Sequence, residues 1–344
     1  MSEQRLPINV GIIGYGFMGQ THARAYQRAQ RDGYPCRMLM IADPNLDSLD
    51  TINQSAGNLE AIGPCVDYSD IELCRDAAQL ITNPTIDLVS ICTHTDSHVD
   101  LAIRALEAGK NVLVEKPIAL TSSEVQRLAL AVRSSATMCI PAMCMRFWPA
   151  WVKIKELIDS CRYGDVRSAV FHRLGSRPRW SPDFYSDPSR SGGVLDDLHI
   201  HDTDFIIHCF GLPNLVTTSG DHSHMSTIYH YHDGPIHVLA HAAWDHQPAM
   251  GFEMRCTIVC ERATIDFDIN RNDQLIIHEG NSSETIDVGD LSGYDGEIRW
   301  ILDSLGSQQN QPVCSMNDAA QVARILEIEH RSITERKTLR IDLD

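Results

Sequence analysis

Residues 8–19 read INVGIIGYGFMG, in which Gly14, Gly16 and Gly19 fit a G-x-G-x-x-G turn. In such a turn the first glycine permits the tight bend after a strand. The second lets a pyrophosphate approach the backbone, and the third lets the next helix pack closely. Backbone N–H groups at the helix start can hold the anion without Lys or Arg. The triplet alone is a weak signal. Here an apolar strand precedes it, a helical run over 20–30 follows, and a second strand ends in an acid, Asp43 of MLMIADPN. A carboxylate there hydrogen-bonds ribose hydroxyls and repels a 2′-phosphate, which favours NAD and leaves NADP open. Its plainer reading is a cap on the next helix through an Asp-Pro turn. The separation 43 − 14 = 29 exceeds the usual value of about 20. The stretch RDGYPCR reads as an insertion between helix and strand that accounts for it.

A second group suits proton and hydride chemistry on an alcohol. Lys116 precedes Pro117 and follows the apolar run 112–114. Parallel sheets bind ligands at the C-terminal ends of their strands, and an ammonium there can stabilise a developing alkoxide. Asp197 and His201 stand at i and i+4, on one face of a helix. Imidazole, with an ordinary pKa of about 6.5, suits removal of an alcohol proton near neutrality. Asp197 can orient that ring or bind a neighbouring hydroxyl. The plainer readings are a surface lysine and a surface ion pair. The setting of Lys116 in a dinucleotide domain and the Gly192-Gly193 lead-in argue against them.

The elements that must hold these groups fall into two domains. Through residue 141, the apolar runs Ile8–Ile13, 38–42, 88–92, 112–114 and 138–140 alternate with helical patterns. Val99, Ala102, Ile103 and Leu106 have helix spacing, with Gly109 as C-cap, and Thr121-Ser-Ser-Glu124 reads as a capping box. This alternation predicts an α/β domain over 1–141, a doubly wound parallel sheet that binds a dinucleotide. Beyond it, helices at 149–160 and 194–210 bracket a Pro/Arg/Ser-rich loop, 176–191. Successive strands over 215–286 turn at Asp233-Gly234 and Glu279-Gly280, and helices follow near 294–305 and 317–334. That order predicts an α+β domain over 142–344 with a mostly antiparallel sheet.

Three segments together carry a family likeness: GIIGYGFMG, the VEKP of Glu115, Lys116 and Pro117, and SGGVLDDLHIHDTD over 191–204. With CTHTDSH at 92–98, MRFWPAW at 145–151 and GYDGEIRW at 293–300, nearly the whole chain resembles the glucose–fructose oxidoreductase / inositol dehydrogenase (Gfo/Idh/MocA) family. The resemblance implies a Rossmann domain followed by an open-faced antiparallel sheet flanked by helices. It implies an active site of Lys116, Asp197 and His201, and a cis bond between Lys116 and Pro117. The cofactor site it implies comprises Gly14, Gly16, Phe17, Met18, Gly19, Asp43, Thr93, His98, Glu115 and Lys116. The activity implied is hydride transfer between NAD(P) and a secondary alcohol of a sugar, cyclitol or sugar acid. An open sheet needs covering, so a homodimer or homotetramer through the C-terminal sheet is expected. Two positions depart from the family pattern. His94-Thr95 replaces Pro-Asn, which bears on contacts beside the nicotinamide. His199 replaces a glycine, and its ring is expected to narrow the pocket or reach the substrate. Arg177, Arg179 and Trp180 are candidates to lie over a sugar ring, with a solvated loop as the equal alternative, and Tyr294 is a candidate for the pocket rim. Arg146 and Phe147 match a family pair expected to tie the domains together. Two other activities stay open: NAD-dependent glycoside hydrolysis on the same fold, and non-catalytic NAD-binding regulation.

Composition narrows the partners. The formal charge of −17 opposes binding to nucleic acid or anionic lipid. No apolar run reaches the roughly 18 residues of a membrane helix, and residues 1–7 are polar without a signal-peptide layout. The 11 cysteines form no C-x-x-C, and the pairs Cys139/Cys144 and Cys256/Cys260 lack zinc-finger spacing. They read as reduced, mostly buried thiols of a cytoplasmic protein. On a helix His199 and His201 point about 200° apart and cannot chelate together. Asp197, His201 and Asp204 share a face, but no metal is expected there. The pairs His222/His224, His230/His232 and His237/His241 have strand spacing. They read as a polar sheet face or a subunit interface, with metal binding or pH-dependent assembly as alternatives.

Overall fold

The computed structural model describes residues 6–45, 66–307 and 312–342; the polar lead at 1–5 lies outside them. In chain order the elements are β1 (Ile8–Ile13), α1 (Phe17–Arg31), β2 (Cys36–Ala42), β3 (Glu72–Cys74), α2 (Ala77–Thr82), β4 (Leu88–Ile91), α3 (His98–Glu107), β5 (Asn111–Glu115), α4 (Ser122–Arg133) and β6 (Cys139–Ala142). Then come α5 (Pro149–Asp159), β7 (Val166–Leu174), α6 (Ile200–Phe210), β8 (Leu215–Gly220), β9 (His224–His230), β10 (His237–Ala243), β11 (Glu253–Cys260), β12 (Ala263–Asp268), β13 (Leu275–Glu279) and β14 (Ser282–Ile286). The chain closes with α7 (Gly293–Ser307), α8 (Met316–Glu335) and β15 (Leu339–Arg340).

Two compact units result: Met1–Phe147 with Leu291–Ala320, and Trp148–Asp290 with Gln321–Asp344. This differs from a single break at 141/142, because the chain returns to the first unit. The apolar face of α7 explains the return: Ile298, Ile301 and Leu302 share one core with Val10, Ile12, Tyr15 and Tyr26. Arg28 pairs with Asp295 at 3.3 Å, and Arg299 pairs with Asp32. Gly296 lies so close to the backbone that a Cβ there would meet the Phe147 carbonyl oxygen at 2.4 Å. Phe147 packs on Trp300, and the buried Arg146 guanidinium donates to the Val313 carbonyl at 2.9 Å. These partners of Arg146 and Phe147 all lie within the first unit, so the pair holds the returning segment in place.

The first unit is built on a six-stranded parallel sheet of order β3-β2-β1-β4-β5-β6. The order reverses between β1 and β4, the crevice where open α/β sheets bind ligands. The long Gly14-to-Asp43 separation has a different cause from the insertion expected. Helix α1 runs for 15 residues and β2 for 7, joined only by the turn 32–35. RDGYPCR is therefore the helix end, that turn and the strand start.

The second unit is a nine-stranded sheet of order β14-β13-β12-β11-β7-β10-β9-β8-β15. Only β7 and β10 pair in parallel. Strand β7 was not foreseen, although VRSAVFHRL alternates with period two and sits centrally in the sheet. One face is packed: Trp151 of α5 lies 4.6 Å from Phe205 of α6, 5.6 Å from Phe267 and 6.0 Å from Phe171, ring centre to ring centre. The other face presents half-buried Val170, His172, Ile228, Leu239 and His241.

Candidate active site

The glycine turn separates space reserved for the protein from space left open. Gly14 has φ +84°, and a Cβ there would meet the Cys92 carbonyl oxygen at 2.7 Å. A Cβ on Gly19 would meet the Gly14 carbonyl oxygen at 2.1 Å, but one on Gly16 meets nothing within 4 Å. Gly16 is the N-cap of α1, which has no side-chain cap and no acid in its first turn. The N-terminal turn at Phe17, Met18 and Gly19 thus presents its N–H groups and positive dipole end beside open space, the fit a pyrophosphate needs. Gly16→Ala should keep the fold, with its melting temperature close to wild type, and weaken NAD by roughly tenfold or more, about 1.4 kcal/mol. Gly19→Ala should lower the melting temperature itself. Calorimetry and NAD titration of both check this, and unchanged NAD affinity in Gly16→Ala would sink the assignment.

Asp43 follows β2 directly and is nearly buried. Its Oδ2 accepts from Tyr15 N at 2.7 Å and its Oδ1 from Asn45 N at 2.7 Å. It therefore pins the glycine turn and closes a local turn onto Asn45; the helix of the plainer reading falls in 46–65, outside the described residues. A carboxylate has about four acceptor sites, so these two bonds do not exhaust it.

Lys116 directly follows β5, and its bond to Pro117 is cis. Two buried groups hold this turn. Glu115 accepts from Lys116 N at 3.0 Å through Oε2 and contacts His22 Nε2 at 2.9 Å through Oε1. The His98 ring spans Thr93 O and Pro117 O, each at 2.9 Å. Burial holds His98 below the ordinary imidazole range, against the pull of both carbonyls. Glu115 and His98 thus engage the protein and position Lys116. Thr93 Oγ1 accepts from Ser97 Oγ at 2.7 Å, while His94 is exposed and Thr95 buried. Sequence reasoning missed His22 and Glu297. Glu297 is fully buried on α7, and neither carboxyl oxygen has a hydrogen-bond partner among the described residues. Burial, and then the charge of Glu115, push its pKa well above the ordinary carboxyl range. Only an acid among apolar helix positions hinted at this. Tyr294, half-buried on the same helix, has the Cys144 thiol as hydrogen-bond partner, and burial raises its phenol well above the ordinary range.

In the second unit, the helix expected at 194–210 starts as a π-helical turn, Leu195–His199, and continues as α6. Such turns are frequent at functional sites. Asp197 is half-buried, and His201 is 8 % exposed. His199 corrects an expectation. It is fully buried, with Nε2 2.8 Å from Glu329 Oε2 and 3.0 Å from the Tyr229 hydroxyl, itself 2.7 Å from Thr203 Oγ1. Two residues along a helix turn a side chain to the far side, so His199 faces the protein interior and not a substrate. Next to His201, Asp202 accepts a bidentate pair from buried Arg173, Nη2 to Oδ1 at 2.7 Å and Nε to Oδ2 at 3.1 Å. Both clamps were invisible in the sequence.

Arg177 is tied to Ser223 Oγ at 3.1 Å and lies over the Trp244 ring. Trp180 packs edge-on against Tyr185, which packs against Trp244. The histidine pairs are rearranged. Only His237 and His241 share one strand face. His222 and His232 lie in turns, and the His222 ring is 6.0 Å from that of His330 on α8. Among the described residues Asp197, His201 and Asp204 do not gather as a ligand set.

Comparison with known proteins gives the family. The oxidoreductase family with an NAD-binding Rossmann fold (GFO_IDH_MocA) matches residues 8–143, and the GFO/IDH/MocA C-terminal domain matches residues 151–266. The chain belongs to the Gfo/Idh/MocA family. It is 35% identical to the oxidoreductase YhhX of Escherichia coli (strain K12) over 151 residues, 43% of this chain and 42% of that protein, so the match spans less than half of YhhX. It is 22% identical to the inositol 2-dehydrogenase of Rhizobium meliloti (strain 1021), covering 98% of this chain and all (100%) of that one. It also resembles levoglucosan dehydrogenase in complex with NADH and levoglucosan, with TM-score 0.81, 21% identity, and 98% and 100% of the two chains covered. As a Gfo/Idh/MocA protein it carries its NAD-binding Rossmann domain in the first unit. Among the described residues no helix is long and apolar enough to cross a membrane, and all ten described cysteines are unbridged.

Proposed function

We propose that this chain is an NAD-dependent dehydrogenase that oxidises a secondary alcohol of a sugar, cyclitol or sugar acid in the cytoplasm. The observation that carries the reading is the open Gly16 face beside the uncapped start of α1, in a chain of an oxidoreductase family. Bound NAD supplies the hydride acceptor; the protein supplies position and proton handling. His201 takes the hydroxyl proton at a ring nitrogen. Asp197, on the same helical segment, orients that ring or binds a neighbouring hydroxyl. Lys116 Nζ stabilises the alkoxide as the proton leaves. Asp43 uses its remaining acceptor sites on the ribose, which favours NAD over NADP. Arg177, Trp180 and Tyr294 serve the substrate side, with the aromatic ring as a platform for a sugar face. The likeness to inositol and levoglucosan dehydrogenases supports a polyhydroxylated ring as substrate. The half-buried sheet face joins copies into a dimer or tetramer; a single-chain mass by light scattering would remove that part.

The test is NADH formation, followed by absorbance, across cyclitols, aldoses and sugar acids, repeated with NADP. Turnover with at least one of them, faster with NAD, is expected. Tight NAD binding without any NADH across the panel would make the chain a regulator. Release of sugar from a glycoside without net NADH would make it a hydrolase.

A further inference from the structure

We propose that His224, Asp245 and His246 bind a divalent transition-metal cation, held in register by His241. This site lies wholly in the second unit and does not rest on the dehydrogenase reading. Among the described residues, these three offer one ligand atom each, all within 4.8 Å of one another. His224 Nδ1 lies 3.0 Å from Asp245 Oδ1, close to the roughly 3.3 Å between two ligands on a tetrahedral zinc with bonds of about 2.0–2.1 Å. A cation there takes the place of the Nδ1 proton.

The surroundings fit that role. His224 Nε2 lies 2.8 Å from His241 Nε2, so with the cation on Nδ1 the Nε2–H donates to His241. That outer hydrogen bond fixes the tautomer and ring orientation, as metal-binding histidines require. Two imidazoles and one carboxylate favour zinc and its neighbours over magnesium or calcium.

Backbone bonds hold the donors where they are. Trp244 N donates to Ser223 O at 2.9 Å, and His246 N to Gly175 O at 3.1 Å. Asp245 bridges to Ser176, and His224 N donates to Asp221 Oδ1 at 3.2 Å. Strand β9, the end of β10 and the extension of β7 thus converge on one point. The side chains of His224 and Asp245 are 44% and 48% exposed, which leaves an entry path and room for water as a further ligand.

The experiment uses the full-length chain without a histidine tag, stripped by chelator, with zinc added against a chromophoric competitor. One zinc per chain is expected. His224→Gln and His246→Gln should each weaken it roughly tenfold or more. His230→Gln, at the far end of β9, should bind as wild type does. Cobalt should give the visible d–d bands of a four-coordinate site, lost in His246→Gln. If no zinc is retained, or if both variants retain it as wild type does, the cluster is only a hydrogen-bonded polar patch. Melting curves of each variant separate lost ligation from lost fold. Should His224→Gln fail to fold, His246→Gln with the cobalt spectrum decides alone.

Discussion

His201→Ala lowers kcat by roughly 10²- to 10⁴-fold, the usual contribution of a positioned acid–base group, while the Kd for NAD stays near wild type. The two readouts separate because the dinucleotide groups, Gly14 to Gly19 and Asp43, belong to the other unit and its own core. Loss of an alcohol's proton must accompany loss of its hydride, and alanine leaves nothing at that position to receive it. A structural role would instead lower stability and kcat together, so the melting temperature belongs in the same experiment. NADH formation at saturating substrate gives kcat, and NAD titration gives Kd. Full activity in His201→Ala would remove the assignment of the base. A loss of NAD affinity as large as the loss of turnover would remove the division of labour.

The second large effect is on stability. Asp202→Ala should destabilise the second unit by about 3–5 kcal/mol, because it strands the Arg173 guanidinium in the interior. Both side chains are almost fully buried, at 4% and 1% exposure, and Arg173 also lies over the Trp151 ring at the centre of the aromatic core. The loss comes from an uncompensated charge more than from the missing attraction. Replacing both groups with apolar residues, Arg173→Met with Asp202→Leu, should therefore recover much of it. Denaturant unfolding of the single and double variants measures this. Equal destabilisation in the two would show that the pair itself, and not the stranded charge, carries the effect. Because Asp202 adjoins His201, the double variant should lose turnover even where stability returns.

Much of the fold was legible because its signals are local. The glycine turn, the capping box at Thr121 and the strand–helix alternation each fall within a few residues. Thr121 does accept from Glu124 N, at 3.4 Å. Strand β7 was legible in principle, since its period of two is plain once a strand is sought before the loop at 176. The return of 291–320 to the first unit was not, because an apolar helix face does not say which core it will join.

The same limit applies to the candidate site. The i,i+4 spacing of Asp197 and His201 marked a helix face, yet the π-helical first turn left no trace in the sequence. His199 read as a substrate group because nothing local showed that Glu329, distant in sequence, waits in the interior.

The sequence by itself determined the dinucleotide turn, the lysine at a strand end and the histidine on a helix. These depend on glycine's lack of a Cβ, on strand polarity and on helical period, all properties of short segments. Tertiary structure alone decided which groups hold them: Glu115 and His98 around Lys116, Arg173 and Glu329 around the helix of His201, and the gathering of His224, Asp245 and His246. Buried charges and tautomers need particular partners, and long-range packing selects those from many residues of equal chemistry.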